Sequence, residues 1–132
     1  MRRSVVVIDD DEVYQTIIRK FISRAEVFTE ASYYTSPVDA LAGLKSAESL
    51  PDFILLDINM PLMDGWQLLK ELEELFPGLY HRSNIYIVTS SIAYSDKQTV
   101  KEFPGVKGFL SKPLNVAKLR EIVAAVKQKS PA

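Results

Sequence analysis

Acidic side chains carry most of the chemistry in this 132-residue chain. Asp9, Asp10, Asp11 and Glu12 run consecutively after the apolar stretch Val5–Ile8, and Asp57 follows a second such stretch, Phe53–Leu56. Thr89, Ser90 and Ser91 follow a third apolar stretch, and Ser111, Lys112 and Pro113 a fourth. Carboxylates brought close together repel one another and are stabilised by a divalent cation, a lysine or a raised pKa. A donor set made only of oxygen favours magnesium or calcium over zinc. Lys112 offers a compact positive charge to such a cluster.

Each of these groups has a plainer reading. An acidic run ahead of a helix serves as N-cap and as a partner for the helix dipole. That reading suits Asp11 and Glu12; for Asp9 and Asp10, taken alone, both readings stand. Asp57 is harder to explain as a cap, because Pro61 and Gly65 place a loop before the next helix. Thr89 and Ser90 alone are ordinary turn residues, and Lys112 alone is a surface lysine. His81, the single histidine, reads as a solvated loop residue within 77–84. What lifts the chemical reading is the joint placement of acid pair, single acid, hydroxyl and lysine at the ends of successive apolar runs.

Such a placement requires a scaffold that aligns the run ends. The hydrophobic period alternates between strand-like and helix-like along the whole chain. Strands are expected over 5–8, 27–31, 53–56, 85–88 and 106–110, and helices over 12–24, 37–47, 65–76, 95–103 and 115–128. In the first helix Val13, Ile17 and Phe21 recur at helical spacing with Tyr14, Ile18 and Ile22 alongside. Ser36 with Pro37 reads as N-cap and first helical position, Pro77-Gly78 as a stop, and Asn115 as the last N-cap with Leu114 stapled to Leu119. Five strand–helix repeats build a parallel sheet covered on both faces by right-handed crossovers. Ligands of such sheets bind beyond the carboxyl ends of the strands, where the acids, Thr89 and Lys112 fall.

Composition narrows the function further. The chain has no cysteine, which excludes thiolate catalysis, a Cys-ligated zinc site and a disulfide framework. Sixteen basic against 17 acidic residues leave a formal charge of −1, which argues against a nucleic-acid arm or a polybasic membrane patch. The longest apolar run, Ile122–Val126, falls far short of a bilayer span, and Met1-Arg2-Arg3-Ser4 leads into the first strand without a signal-peptide core. The expectation is one cytoplasmic domain over 1–132, with a core of about residues 4–129 and a natural amino terminus.

Val7-Ile8-Asp9-Asp10-Asp11, Leu55–Gly65 (LLDINMPLMDG), Val88-Thr89-Ser90 and Gly108–Pro113 (GFLSKP), in this order and spacing, resemble the receiver domain of two-component response regulators. The resemblance implies a flavodoxin-like, doubly wound (βα)5 α/β fold with a five-stranded parallel sheet of order 2-1-3-4-5, in a stand-alone receiver. It implies that Asp57 is the phosphoacceptor, and that Asp10 and Asp57 ligate Mg2+ directly, Asp9 through water and Asn59 through its backbone carbonyl. It further implies that Thr89 hydrogen-bonds the phosphoryl group, that Lys112 pairs with it, that Thr89 and Phe109 form the switch, and that the Lys112–Pro113 bond is cis. The phosphoryl donor would be a histidine kinase or a histidine phosphotransfer protein, and the chain would catalyse only its own phosphorylation and dephosphorylation. A downstream protein would bind the face of the fourth helix, fifth strand and last helix, with Tyr94, Lys97, Phe109, Lys118 and Lys127 as contacts. The protein would act as a monomer or a phosphorylation-dependent homodimer, without nucleic acid or membrane.

The sequence departs from the family pattern at Phe109, whose ring has no hydroxyl for a switch hydrogen bond. Asn59 and Ser91, two residues past Asp57 and Thr89, lie where the family tunes hydrolytic water, and neither is charged. Three other readings compete. An aspartate-based, Mg2+-dependent phosphatase needs an acid where Asn59 stands and usually a cap domain. A flavin module needs a phosphate loop where the acidic run stands. An interaction module that takes no phosphate would not need Asp57, Thr89 and Lys112 intact.

Overall fold

A computed structural model describes residues 3–129, the side chains of 127–129 excepted. The elements run β1 (Ser4–Ile8), α1 (Glu12–Ala25), β2 (Glu30–Tyr34), α2 (Pro37–Ser46), β3 (Phe53–Leu56), α3 (Gly65–Leu75), α4 (Leu79–Arg82), β4 (Asn84–Thr89), α5 (Tyr94–Thr99) with a 3-10 turn to Glu102, β5 (Gly108–Ser111) and α6 (Val116–Lys129). All strand pairs are parallel, in the order β2-β1-β3-β4-β5.

Alternate residues of a strand face opposite sides of a sheet, and both sides here are apolar. Val6, Ile8, Ile54, Leu56, Ile85 and Ile87 pack against α2 and α3 on one side. Val5, Val7, Phe53, Leu55, Val88 and Leu110 pack against α1 and α6 on the other. The strand ends are thereby held rigidly in register, Ile8 beside Leu56 and Leu56 beside Ile87.

Local signals start the helices where expected. The Asp11 carboxylate accepts from the Val13 and Tyr14 amides, and the Ser36 hydroxyl from Asp39 N–H behind Pro37. Asp64 and Gln67 form a reciprocal capping box on α3. Asn115 Oδ1 accepts from Lys118 N–H at 2.8 Å, and Leu114 and Leu119 are buried in one cluster, as the staple expects.

Tertiary packing corrects several expectations. The second strand lies at 30–34 rather than 27–31: Val27 and Phe28, half-buried, pack against the core instead, with Phe28 edge-on to Phe53 at 5.5 Å. As an edge strand β2 pairs its backbone with β1 on one side only, and its first residues, Glu30, Ala31 and Ser32, stay exposed. The buried stripe of α1 is Tyr14, Gln15, Ile18, Ile22 and Ala25, whereas Val13 and Ile17 are 71% and 39% exposed. The segment expected to be a loop at 77–84 contains α4, anchored by buried Leu79 and by a 2.6 Å hydrogen bond from Tyr80 Oη to Glu73. His81 on α4 is exposed, as expected. The helix expected over 95–103 is shorter, and β5 begins at Gly108 rather than 106. No described helix is long and apolar enough to cross a membrane.

Candidate functional site

Three strand ends build the site. Asp9 follows β1, and its amide donates to Tyr34 O of β2 at 3.0 Å. Asp57 follows β3, and its amide donates to Ile8 O of β1 at 2.9 Å. Lys112 follows β5, and its amide donates to Thr89 O of β4 at 3.0 Å. The sheet ladder thus continues one residue past each strand and fixes the backbone from which each functional side chain projects. The Lys112–Pro113 peptide is cis, as expected.

Asp9 and Asp57 are buried, at 2% and 5% exposure, and Asp10 is more open. Carboxylate oxygens of the three lie within 4.8 Å of one another. Lys112 Nζ sits 2.6 Å from Asp9 Oδ2 and 3.8 Å from Asp57 Oδ2. Backbone amides supply further donors: Asp11 N–H to Asp9 Oδ1 at 3.0 Å and Asn59 N–H to Asp57 Oδ1 at 3.4 Å.

These carboxylates remain short of positive charge. Burial, then the charge of Asp9, push the Asp57 carboxyl up to about 6, against the pull of Lys112 and the Asn59 amide. Burial also holds Asp9 above its ordinary value, outweighing its ion pair with Lys112. Three clustered carboxylates answered by one ammonium form an oxygen-only donor set that fits magnesium.

Thr89 is buried, and its hydroxyl is turned to its own loop, donating to Ser91 O at 3.1 Å and accepting from Ser91 N at 3.4 Å. Phe109 is half-buried, edge-on to Trp66 at 6.4 Å, while Trp66 stacks on Phe103 at 5.4 Å. Trp66 Nε1 donates to Asp96 at 3.4 Å and so links α3 to α5. Of the expected partner contacts, Tyr94 and Lys97 are exposed and Lys118 pairs with Glu121 at 3.2 Å. The Lys127 side chain lies outside the described residues.

Two site residues escaped sequence reasoning. Gln15 Nε2 donates to Asp9 O at 3.0 Å and Tyr34 O at 2.9 Å, clasping the ends of β1 and β2. The ring of Tyr14 lies 4.5 Å from Lys112 Nζ. Burial pushes its hydroxyl well above the ordinary tyrosine range, as do Asp9 and Asp57. Both belong to the α1 stripe, whose phase the sequence alone left open between two adjacent faces.

Comparison with known proteins agrees with this geometry. The response regulator receiver domain family matches residues 5–124. The chemotaxis protein CheY of Halobacterium salinarum is 25% identical over 126 residues, covering 96% of this chain and 98% of that protein. Two-component response regulator 24 of Arabidopsis thaliana is 32% identical over 91% of this chain and 81% of its own length. The crystal structure of a two-component response regulator from Cytophaga hutchinsonii superposes with a TM-score of 0.83 at 27% identity, over 96% of this chain and 98% of that one. Other relatives are longer: the chain spans 47% of a probable C4-dicarboxylate response regulator of Halalkalibacterium halodurans and 7% of a hybrid histidine kinase of Dictyostelium discoideum. With the five-stranded 2-1-3-4-5 sheet and the acidic strand ends, these matches show that the chain belongs to the response regulator receiver domain family of two-component signalling.

Proposed function

We propose that Asp57 accepts the phosphoryl group of a phosphohistidine on a histidine kinase or histidine phosphotransfer protein. The P–N bond to the donor imidazole breaks and a P–O bond to an Asp57 carboxylate oxygen forms, leaving an aspartyl-phosphate. The observation that carries this reading is the convergence of Asp57 with Asp9, Asp10 and Lys112 at buried strand ends. Asp9, Asp10, Asp57 and the backbone carbonyl of Asn59 would hold Mg2+, which when bound neutralises charge on the phosphoryl oxygens.

The chain's own residues do the rest. Desolvation leaves Asp57 poorly hydrated and aimed from a rigid strand end. Lys112 exchanges its partner, leaving Asp9 for a phosphoryl oxygen, from a position already 3.8 Å from Asp57. Thr89 gives up Ser91 and turns its hydroxyl to the phosphoryl group. The loop after β4 then follows Thr89, and Phe109 shifts against Trp66, remodelling the face of α5, β5 and α6 for a downstream protein. In this reading the receiver unit occupies residues 1–132 with its core at about 4–129, works in the cytoplasm, and its chemistry is its own phosphorylation and dephosphorylation.

Intact-mass spectrometry after acetyl phosphate and Mg2+ tests the proposal. One labile phosphoryl adduct, released by hydroxylamine, is expected on the wild type and none on Asp57→Asn; equal labelling of the variant sinks the assignment.

A further inference from the structure

Lys112 is held by more than its ion pairs. Its ammonium lies 2.6 Å from Asp9 Oδ2 and 3.8 Å from Asp57 Oδ2, and on a third side 4.5 Å from the centroid of the Tyr14 ring. Tyr14 is itself enclosed: it is 7% exposed, it packs in the cluster of Val7, Ile18, Leu55 and Leu114, and its helix is capped at Asp11, whose carboxylate accepts from the Tyr14 amide at 3.1 Å. Among the described residues the Tyr14 hydroxyl has no hydrogen-bond partner, so what anchors the side chain is packing of the ring.

We infer that Tyr14 is a positioning residue for phosphoryl transfer, its ring face forming the wall that keeps the Lys112 ammonium beside Asp9 and Asp57. An aromatic face attracts an ammonium through its quadrupole, and does so more strongly where water is excluded. Lysine is a strongly hydrated point charge on a flexible four-carbon stem, and without a wall its head group swings toward water. With the wall, exchange of Lys112 from Asp9 to a phosphoryl oxygen is a short move across the ring face. The ring is neutral, so unlike a third carboxylate it does not compete for the ammonium once the phosphoryl charge arrives.

This inference rests on the reading of Asp57 as phosphoacceptor, and its test separates the two. Tyr14→Phe keeps the ring and Tyr14→Leu removes it at similar apolar bulk. In the wild type, NMR of the Lys112 ε-methylene protons is expected to show an upfield ring-current displacement, kept in Tyr14→Phe and lost in Tyr14→Leu. Phosphorylation by acetyl phosphate with saturating Mg2+ is expected to be unchanged in Tyr14→Phe and about three- to tenfold slower in Tyr14→Leu. Absence of the displacement in the wild type overturns the inference even if the leucine variant does not fold. So does a leucine variant as fast as wild type, or a phenylalanine variant as slow as the leucine one. A wild type that shows the displacement but takes no phosphoryl group overturns the phosphoacceptor reading and leaves the placement of Lys112 against Tyr14 standing.

Discussion

A single carboxylate shows how the fold stores electrostatic energy for use. Asp57 ionises near 3.8 when unfolded and at about 6 when folded, because burial and Asp9 disfavour its charge. A raised carboxyl binds its proton more tightly in the folded state, so the associated stability is fully present below about pH 4. It is lost as the pH rises through about 6. Metal-free wild type is therefore expected to lose stability between about pH 4 and pH 6, whereas Asp57→Asn loses less and is the more stable protein at pH 7, by about 3 kcal/mol. Denaturant titrations of both proteins at pH 4.5 and pH 7 in a chelator check this; a variant less stable than wild type at pH 7 contradicts it. Magnesium supplies the missing positive charge, so millimolar Mg2+ is expected to raise the wild-type melting temperature at pH 7. Chelation is expected to reverse the rise, and Asp10→Ala with Asp57→Asn to abolish it.

Elements set the precision with which such residues meet. The amino end of α3 lies so close to the loop after β3 that a Cβ on Gly65 would stand 2.5 Å from Asp57 O and 2.8 Å from Ile58 Cα. Backbone atoms cannot yield as a flexible side chain does. Gly65→Ala is therefore expected to cost about 1–3 kcal/mol and to weaken Mg2+ binding by displacing Asp57, both read by denaturation with and without the metal. The start of α1 is more tolerant. Removing the Asp11 cap by Asp11→Ala is expected to cost about 1 kcal/mol, because two amides lose a partner yet remain open to water. The same elements show where sequence patterns stop being informative. Caps at Asp11, Ser36 and Asn115 were legible because their hydrogen bonds span three residues or fewer. The phase of α1 was not, because two apolar stripes lie side by side on its surface and only packing against α6 and the sheet selects one.

At the scale of the whole molecule, the sheet brings to one edge residues that lie far apart in the chain. Every crossover returns the chain to the same end of the sheet, so each strand points its carboxyl end at the same rim. Beside the rim, Trp66 touches Phe103 and Phe109 and bonds Asp96, so it joins α3, α5 and β5 within one layer. As the only tryptophan, it reports on that layer. Beryllofluoride with Mg2+ is expected to change Trp66 fluorescence in the wild type, to leave Asp57→Asn unchanged, and to give a reduced response in Phe109→Ala. An undiminished response in Phe109→Ala would remove Phe109 from the path.

The amino-acid sequence by itself determined the kinds of element, their order and the chemistry at the strand ends. β-branched runs, helix caps and acid–hydroxyl–lysine placement are local, and parallel strands permit few connections. Folding decided what depends on distant partners. It chose which face of α1 is buried, and moved the second strand past Val27 and Phe28 into the edge of the sheet. It also wound Leu79–Arg82, within the 77–84 segment, into a short helix pinned by Leu79 and Tyr80. It set Lys112 on Asp9, against Tyr14, with Asp57 a step away. A lysine's partner is chosen by desolvation and by whichever charges and rings the packed layers place around it, and no spacing along the chain encodes that enclosure.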